Sequence, residues 1–195
     1  MTLPPDYFED VYAAREDPWD FASSPYEAAK YARTLAALPR TRYRRALEVG
    51  CSIGVLTGQL AERTEWMVAT DVNRQALKRS RARNAGAANI QFIQGALPDR
   101  LPVGPFDLIV LSEVLYYLSV ADLDVALDAV LARLEPGGTL LLVHWTPPVH
   151  DYPQTGDAVH EAALRRVGSG LRWLHGERQG DAEQGYRLDL LERTA

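Results

Sequence analysis

Three side chains near the ends of two apolar runs are of types that move protons or hold charge. Glu113 follows Phe106-Asp-Leu-Ile-Val-Leu-Ser112, Tyr116 comes one turn later, and His144 lies at the end of Thr139-Leu-Leu-Leu-Val-His144. A carboxylate and an imidazole can each take a proton from a nucleophile or hold a cation nearby, and Tyr116 is spaced to line the same place. Each also has a purely structural reading. Glu113 can be a surface carboxylate at a sheet edge, and His144 can cap the end of a strand.

A second group precedes them. Ala46-Leu-Glu-Val-Gly-Cys-Ser-Ile-Gly54 is a short apolar run, a glycine turn and the start of a helical pattern (Val55, Leu56, Gln59, Leu60). Gly50 and Gly54 let the backbone bend sharply and let a ligand approach the main chain without meeting a Cβ. The free amides at the helix start favour an anionic group such as a carboxylate. The dinucleotide fingerprint G-x-G-x-x-G is absent, since Ser52 occupies its second glycine position. Gly50-Cys-Ser-Ile-Gly54 does match the nucleophile elbow G-x-S-x-G, with Ser52 as nucleophile. The residues before Gly50 hold no convincing strands and no oxyanion-type glycine run, so a hydrolase sheet cannot be assembled around that elbow.

Asp71 ends a second apolar run, Trp66-Met-Val-Ala-Thr-Asp71, about 20 residues after Gly50. In a βαβ unit an acid at that spacing accepts both ribose hydroxyls, although Asp71 also reads as a cap for the helix opening at Asn73. The helix runs to about Asn84, and Asn89 to Gly95 alternates as a third strand. Phe106–Glu113 is apolar enough to be a central parallel strand covered on both faces. Ser119-Val-Ala-Asp122 is a capping box opening a helix to Leu134, stopped by Pro136-Gly-Gly138. Thr139–Trp145 is a fifth strand; a helix from about Asp157 to Val167 and two strands, Leu171–Glu177 and Tyr186–Glu192, follow. In open parallel sheets ligands sit outside the carboxyl ends of the strands, where Ser112, Glu113, Tyr116 and His144 fall.

The chain has 195 residues, 47% hydrophobic and 24% charged, which bounds it to one soluble α/β domain with no need of a disulfide or metal. The one cysteine, Cys51, excludes an intrachain disulfide and a multi-cysteine metal site, and reads as a small residue packed in the turn. A net charge of −5 argues against a nucleic-acid partner. No stretch resembles a signal peptide or approaches the roughly 20 apolar residues of a membrane span, so a cytoplasmic location is expected. Residues 1–40 form an N-terminal helical lid segment and residues 41–195 the core. Residues 1–22 are too aromatic for a disordered tail and should pack on something. Ser24-Pro-Tyr-Glu27 is a strong helix start, Ser24 capping, Pro25 at the first position and Glu27 closing a capping box.

Glu48, Gly50 and Gly54 also supply the pattern Glu-x-Gly-x-x-x-Gly, and with them the chain resembles motif I of class I S-adenosylmethionine-dependent methyltransferases. At a finer grain it is similar to the nodulation N-methyltransferase (NodS) family. Asp17-Pro-Trp-Asp-Phe21, Ser24-Pro-Tyr-Glu27, Lys30-Tyr31, Glu48-Val-Gly-Cys-Ser-Ile-Gly54, Ser112-Glu-Val-Leu-Tyr-Tyr117 and His144-Trp-Thr146 carry the likeness. The resemblance implies a Rossmann-like seven-stranded α/β fold, mostly parallel with an antiparallel last strand. It implies S-adenosyl-L-methionine as cofactor, S-adenosyl-L-homocysteine as product and no metal. Implied cofactor contacts are Glu48, Gly50, Ser52, Gly54, Asp71, Val72, Ala96 and Ser112, with Trp19 and Tyr26 as lid residues. Gly95-Ala-Leu-Pro98 lacks the family's common acid at the adenine edge, which leaves that edge to backbone groups of Ala96. The implied acceptor is a small molecule, an amino sugar or oligosaccharide carrying a free amine, with Glu113, His144 and Tyr116 as catalytic residues. A small-molecule O-methyltransferase and a cofactor-binding protein without turnover are the competing readings.

Overall fold

The apolar run Phe106–Ser112 (β4) lies mid-sheet, with Leu108, Ile109, Val110 and Leu111 fully buried between helices on both faces. The computed structural model describes residues 1–195. In chain order the elements are α1 (Pro5–Ala14), α2 (Pro25–Ala37), β1 (Tyr43–Val49), α3 (Val55–Ala61), β2 (Thr64–Asp71), α4 (Arg74–Arg83) and β3 (Ile90–Gln94). After β4 come a 3-10 turn (Leu115–Tyr117), α5 (Val120–Leu131), β5 (Leu134–Trp145), α6 (Gly156–Leu164), β6 (Leu171–Gly180) and β7 (Gly185–Arg193). The sheet order is β3-β2-β1-β4-β5-β7-β6, parallel through β5 and antiparallel where β7 pairs with β5 and β6.

Alternation along the strands divides the core in two. Leu47, Val49, Ile109, Leu111, Leu140 and Leu142 pack against α5 and α6, where Leu123, Ala126, Leu127 and Val130 make the apolar stripe of α5. Ala46, Met67, Ala69, Leu108, Val110, Leu141 and Val143 face the other way, onto Tyr31, Leu56, Leu60 and Leu77 of α2, α3 and α4. Each fully buried leucine contributes about 1.5–3 kcal/mol. β1 and β4 are adjacent although α3, β2, α4 and β3 lie between them in sequence, so the order reverses there. At such a switch point the loops beyond the strand ends diverge and leave a crevice.

Two local readings need correction. The capping boxes are half made: Glu27 N and Asp122 N donate to Ser24 Oγ and Ser119 Oγ, but Ser24 N donates to the Asp20 carbonyl and Ser119 N to Thr2 Oγ1. Helix α5 stops at Leu131, and Leu134 already belongs to β5, opposite Phe106. Pro136-Gly-Gly138 does not end a helix; it lies where the β4–β5 register shifts, because burying Leu134 on the sheet outweighs continuing the helix. No helix is long and apolar enough to cross a membrane.

Residues before β1 lie over the carboxyl edge of the sheet. The Phe8 carbonyl accepts from Asn73 Nδ2, and the Arg79 guanidinium donates to the carbonyls of Tyr12, Arg15 and Glu16 at the end of α1. Leu3 N donates to the Tyr117 carbonyl. The aromatics of this segment form one cluster, with Tyr12 edge-on to Trp19 and Trp19 stacked on Phe21.

Candidate functional site

The turn after β1 needs its glycines. Gly50 and Gly54 have φ of 78° and 82°, the left-handed region that side chains disfavour. A Cβ on Gly54 would lie 2.2 Å from Ser80 Oγ and 2.9 Å from Ser80 Cα, so this glycine also lets α4 pack close. Asp71 ties the turn to the end of β2: Oδ2 accepts from Ser52 N at 2.8 Å and Oδ1 from Asn73 N at 2.8 Å. The cap of α4 is Asn73, whose Oδ1 accepts from Gln75 N and Ala76 N, which leaves Asp71 free to serve the turn. Burial raises the Asp71 carboxyl to about 6 against the pull of those amides, and raises Glu48, bonded to Thr57 Oγ1 at 2.6 Å, to about 7. The nucleophile-elbow reading fails here: Ser52 Oγ accepts from Tyr12 OH at 2.6 Å, and no histidine bonds it.

The turn opens into a cavity of about 730 Å³ at the carboxyl edge of the sheet. Glu48, Gly50, Ser52, Gly54 and Asp71 line one part; Val72 and Ala96 flank them, and Ser112, Glu113 and Tyr116 line the part beyond β4. Trp19 and Tyr26 close it from the N-terminal side, and Trp145 contributes from the end of β5. A single volume thus gathers twelve of the thirteen residues expected from sequence to form the site.

Beyond β4 the cavity wall is charged. Lys30 Nζ donates to Glu27 Oε1 at 2.9 Å and to Glu113 Oε1 at 2.8 Å, and all three side chains are largely buried. Glu113 Oε2 accepts from Tyr116 OH at 2.5 Å and from Trp145 N at 2.9 Å. Glu113 itself sits at φ 57°, a left-handed conformation that turns the chain off β4 into the 3-10 turn. Burial works against the Lys30 ammonium, yet Glu113 and Glu27 hold its pKa above the ordinary value. Burial raises the Glu27 carboxyl despite the attraction of Lys30, and Glu27 Oε2 has no hydrogen-bond donor. Burial, reinforced by the Glu113 charge, raises Tyr116, so it stays protonated and donates. One ammonium shared by two carboxylates leaves a net negative charge beside the cavity. Glu27 and Lys30 are absent from the site read from sequence, although both lie in runs that carry the family likeness and form an i, i+3 pair of opposite charge on α2.

His144 is the exception. It is fully buried and does not line the cavity. Nε2 accepts from Leu115 N at 3.2 Å and Nδ1 meets His160 Nε2 at 3.1 Å, so neither nitrogen is free for a substrate proton. Burial depresses its pKa well below the ordinary value, and Lys30 and the neighbouring His160 add to the cost of a charge there. A strand-end residue faces either the crevice or the core, and His144 faces the core. His160, given no role from sequence, is its partner.

The reversed strand order, the glycine turn after β1 and the acid ending β2 define the class I S-adenosylmethionine-dependent methyltransferase fold. Within that class the chain belongs to the Nodulation protein S (NodS) family, whose profile matches residues 8–146. It is 35% identical over 130 residues to Nodulation protein S of Rhizobium tropici, covering 66% of this chain and 55% of that protein. With the Nodulation protein S of Bradyrhizobium diazoefficiens it shares 35% identity over 66% of this chain and 62% of the relative. The chain therefore spans little more than half the length of these curated relatives. The crystal structure of the N-methyltransferase NodS from Bradyrhizobium japonicum WM9 in complex with S-adenosyl-L-homocysteine superposes with a TM-score of 0.87 at 23% identity, over 97% of this chain and 98% of that one.

Proposed function

We propose that this chain is an S-adenosylmethionine-dependent methyltransferase that N-methylates an amino group on an amino sugar or oligosaccharide. The observation that carries the reading is the net-negative cluster of Glu27, Lys30, Glu113 and Tyr116 on the wall of the cavity that the glycine turn opens into. The cofactor carries a sulfonium and an ammonium, and an amine acceptor arrives protonated; a cavity walled by Glu48, Asp71 and Glu113 suits all three charges. A volume of about 730 Å³ is of the size used for ligands of this kind.

When bound, the cofactor supplies a methyl group on a positively charged sulfur. Asp71, its carboxylate fixed by the amides of Ser52 and Asn73, would hold the ribose hydroxyls, and Val72 and the Ala96 backbone would take the adenine. Glu113 orients the acceptor. A carboxylate offers about four lone-pair positions, and Lys30, Tyr116 and Trp145 N take three of those on Glu113, leaving one for an acceptor N–H. Glu113, on the cavity wall, is the carboxylate positioned to take the proton the amine must lose before it attacks. Tyr26 and Trp19 exclude water, and held geometry then supplies much of the rate. Trp145 gives an apolar face for a sugar ring.

Asp71→Ala is expected to weaken S-adenosylhomocysteine binding by about 1–3 kcal/mol, the loss of two hydroxyl bonds. Calorimetric titration reads this directly, and unchanged affinity would remove Asp71 from the cofactor site. Ribose binding needs the ionised carboxyl, and the free chain holds Asp71 at about 6, so affinity should fall as pH drops through that value. The reading as a whole is tested by incubating the chain with S-adenosylmethionine and an oligosaccharide bearing a free amine. Product heavier by one methyl, located on nitrogen by tandem mass spectrometry, is expected. Methyl on a hydroxyl instead would favour O-methylation, and cofactor binding with no product on any acceptor would favour a non-catalytic role.

A further inference from the structure

A line of buried hydrogen bonds runs from the acceptor wall, through α6, to β7 on the same face of the sheet. Leu115 N donates to His144 Nε2 at 3.2 Å, so that nitrogen is bare and the proton of His144 is on Nδ1. Nδ1 then donates to His160 Nε2 at 3.1 Å, which puts the proton of His160 on its own Nδ1, and this donates to Asp189 Oδ2 at 2.7 Å. Arg187 Nε, at 2.7 Å, and Trp173 Nε1, at 2.8 Å, fix the two oxygens of Asp189. Only one arrangement of protons satisfies every bond. It keeps both imidazoles neutral, and both are fully buried.

The line starts at Leu115, the first residue of the 3-10 turn between Glu113 and Tyr116. Glu113 N is held by the Val143 carbonyl at 2.9 Å and Tyr116 by its ring against His144 at 5.3 Å, so β5 sets both ends of the turn. We infer that His144, His160 and Asp189 form a positioning relay that holds the Glu113–Tyr117 turn in the shape that aims Glu113 and Tyr116 at the acceptor. The inference rests on the reading of that turn as the acceptor wall. The three residues touch no reacting atom; they act through Leu115 and the Tyr116 ring. His144 is faced by His160 of α6, Lys30 of α2 and Tyr116 of the turn, and His160 by Asp189 and Arg187 of β7 and Asp157 of α6. Protonating either histidine would set two donors against each other and break the line at that point.

The test pairs His160→Leu with His160→Gln. The leucine should lower kcat on the order of 10²-fold, the effect of a small displacement at a reacting group, with S-adenosylhomocysteine affinity unchanged. The glutamine, which can accept from His144 and donate to Asp189, should restore most of kcat. Folded His160→Leu with wild-type kcat would overturn the inference. Nitrogen NMR of the wild-type imidazoles needs neither a variant nor an acceptor: His144 and His160 should both be neutral at pH 6 with the proton on Nδ1. The opposite tautomer in either ring would overturn the relay even if His160→Leu does not fold. A wild-type chain that binds S-adenosylhomocysteine but methylates no amine would sink the functional reading and leave the NMR result to judge the line of bonds alone.

Discussion

Lys30→Ala is expected to destabilise the chain by about 3–5 kcal/mol, because it leaves the buried carboxylates of Glu27 and Glu113 facing each other without their cation. Lys30 is 3% exposed, so water cannot replace the ammonium without opening the packing of α2. For a protein of this length that corresponds to a fall in Tm of about 6–20 °C. Adding Glu27→Gln should recover part of the loss by removing one of the two charges. A single variant with wild-type Tm would mean that the cluster adds nothing to stability. Lys30 is the cation that compensates both buried carboxylates on the cavity wall.

Glu113→Gln should lower turnover by about 10²–10⁴-fold while cofactor affinity stays at the wild-type value. The amide is nearly isosteric, so the cavity keeps its shape. Its NH₂ group, however, must face Lys30 Nζ or the Tyr116 OH and Trp145 N pair, all of which are donors. The anionic anchor for the amine is lost and the cluster around it is forced to rearrange. Tyr116→Phe removes one donor and should cost much less. Wild-type turnover by Glu113→Gln, measured at saturating S-adenosylmethionine, would take Glu113 out of the mechanism.

What the sequence made legible is what local chemistry writes into it. Gly50 and Gly54 announce a turn because few other residues adopt φ near +80°, and Asp71 announces its partner through fixed spacing along one βαβ unit. Ser24 announces a helix start through the side-chain cap it makes. The alternation of these units makes the sheet mostly parallel, while its seven strands with an antiparallel last one come from the resemblance to class I methyltransferases. Side-chain partners brought together from distant elements were not legible. Lys30 and Glu113 are 83 residues apart, and nothing in either neighbourhood says that α2 crosses the end of β4. The strand pattern puts His144 at the right edge but not among its neighbours Leu115 and His160, since it says which side chains share a face and not which of them the crevice reaches. His160 and Asp189, 29 residues apart, are an ordinary helical histidine and strand aspartate until the fold joins them. The apolar neighbours of Leu134 fit both the helical and the strand period, and burial against Phe106 places it in the sheet.

The central claim is that a single cavity brings a cofactor at the glycine turn to an amine held by Glu113. Its most direct measurement is methyl transfer, followed by mass spectrometry, from S-adenosylmethionine to a deacetylated chitin oligosaccharide and to its fully acetylated counterpart, with the wild-type chain and Glu113→Gln side by side. N-methylated product from the free amine alone, and its near loss in the variant, is the predicted result. Equal methylation of the acetylated sugar, or no transfer from a wild-type chain that binds S-adenosylhomocysteine in the same sample, would contradict it.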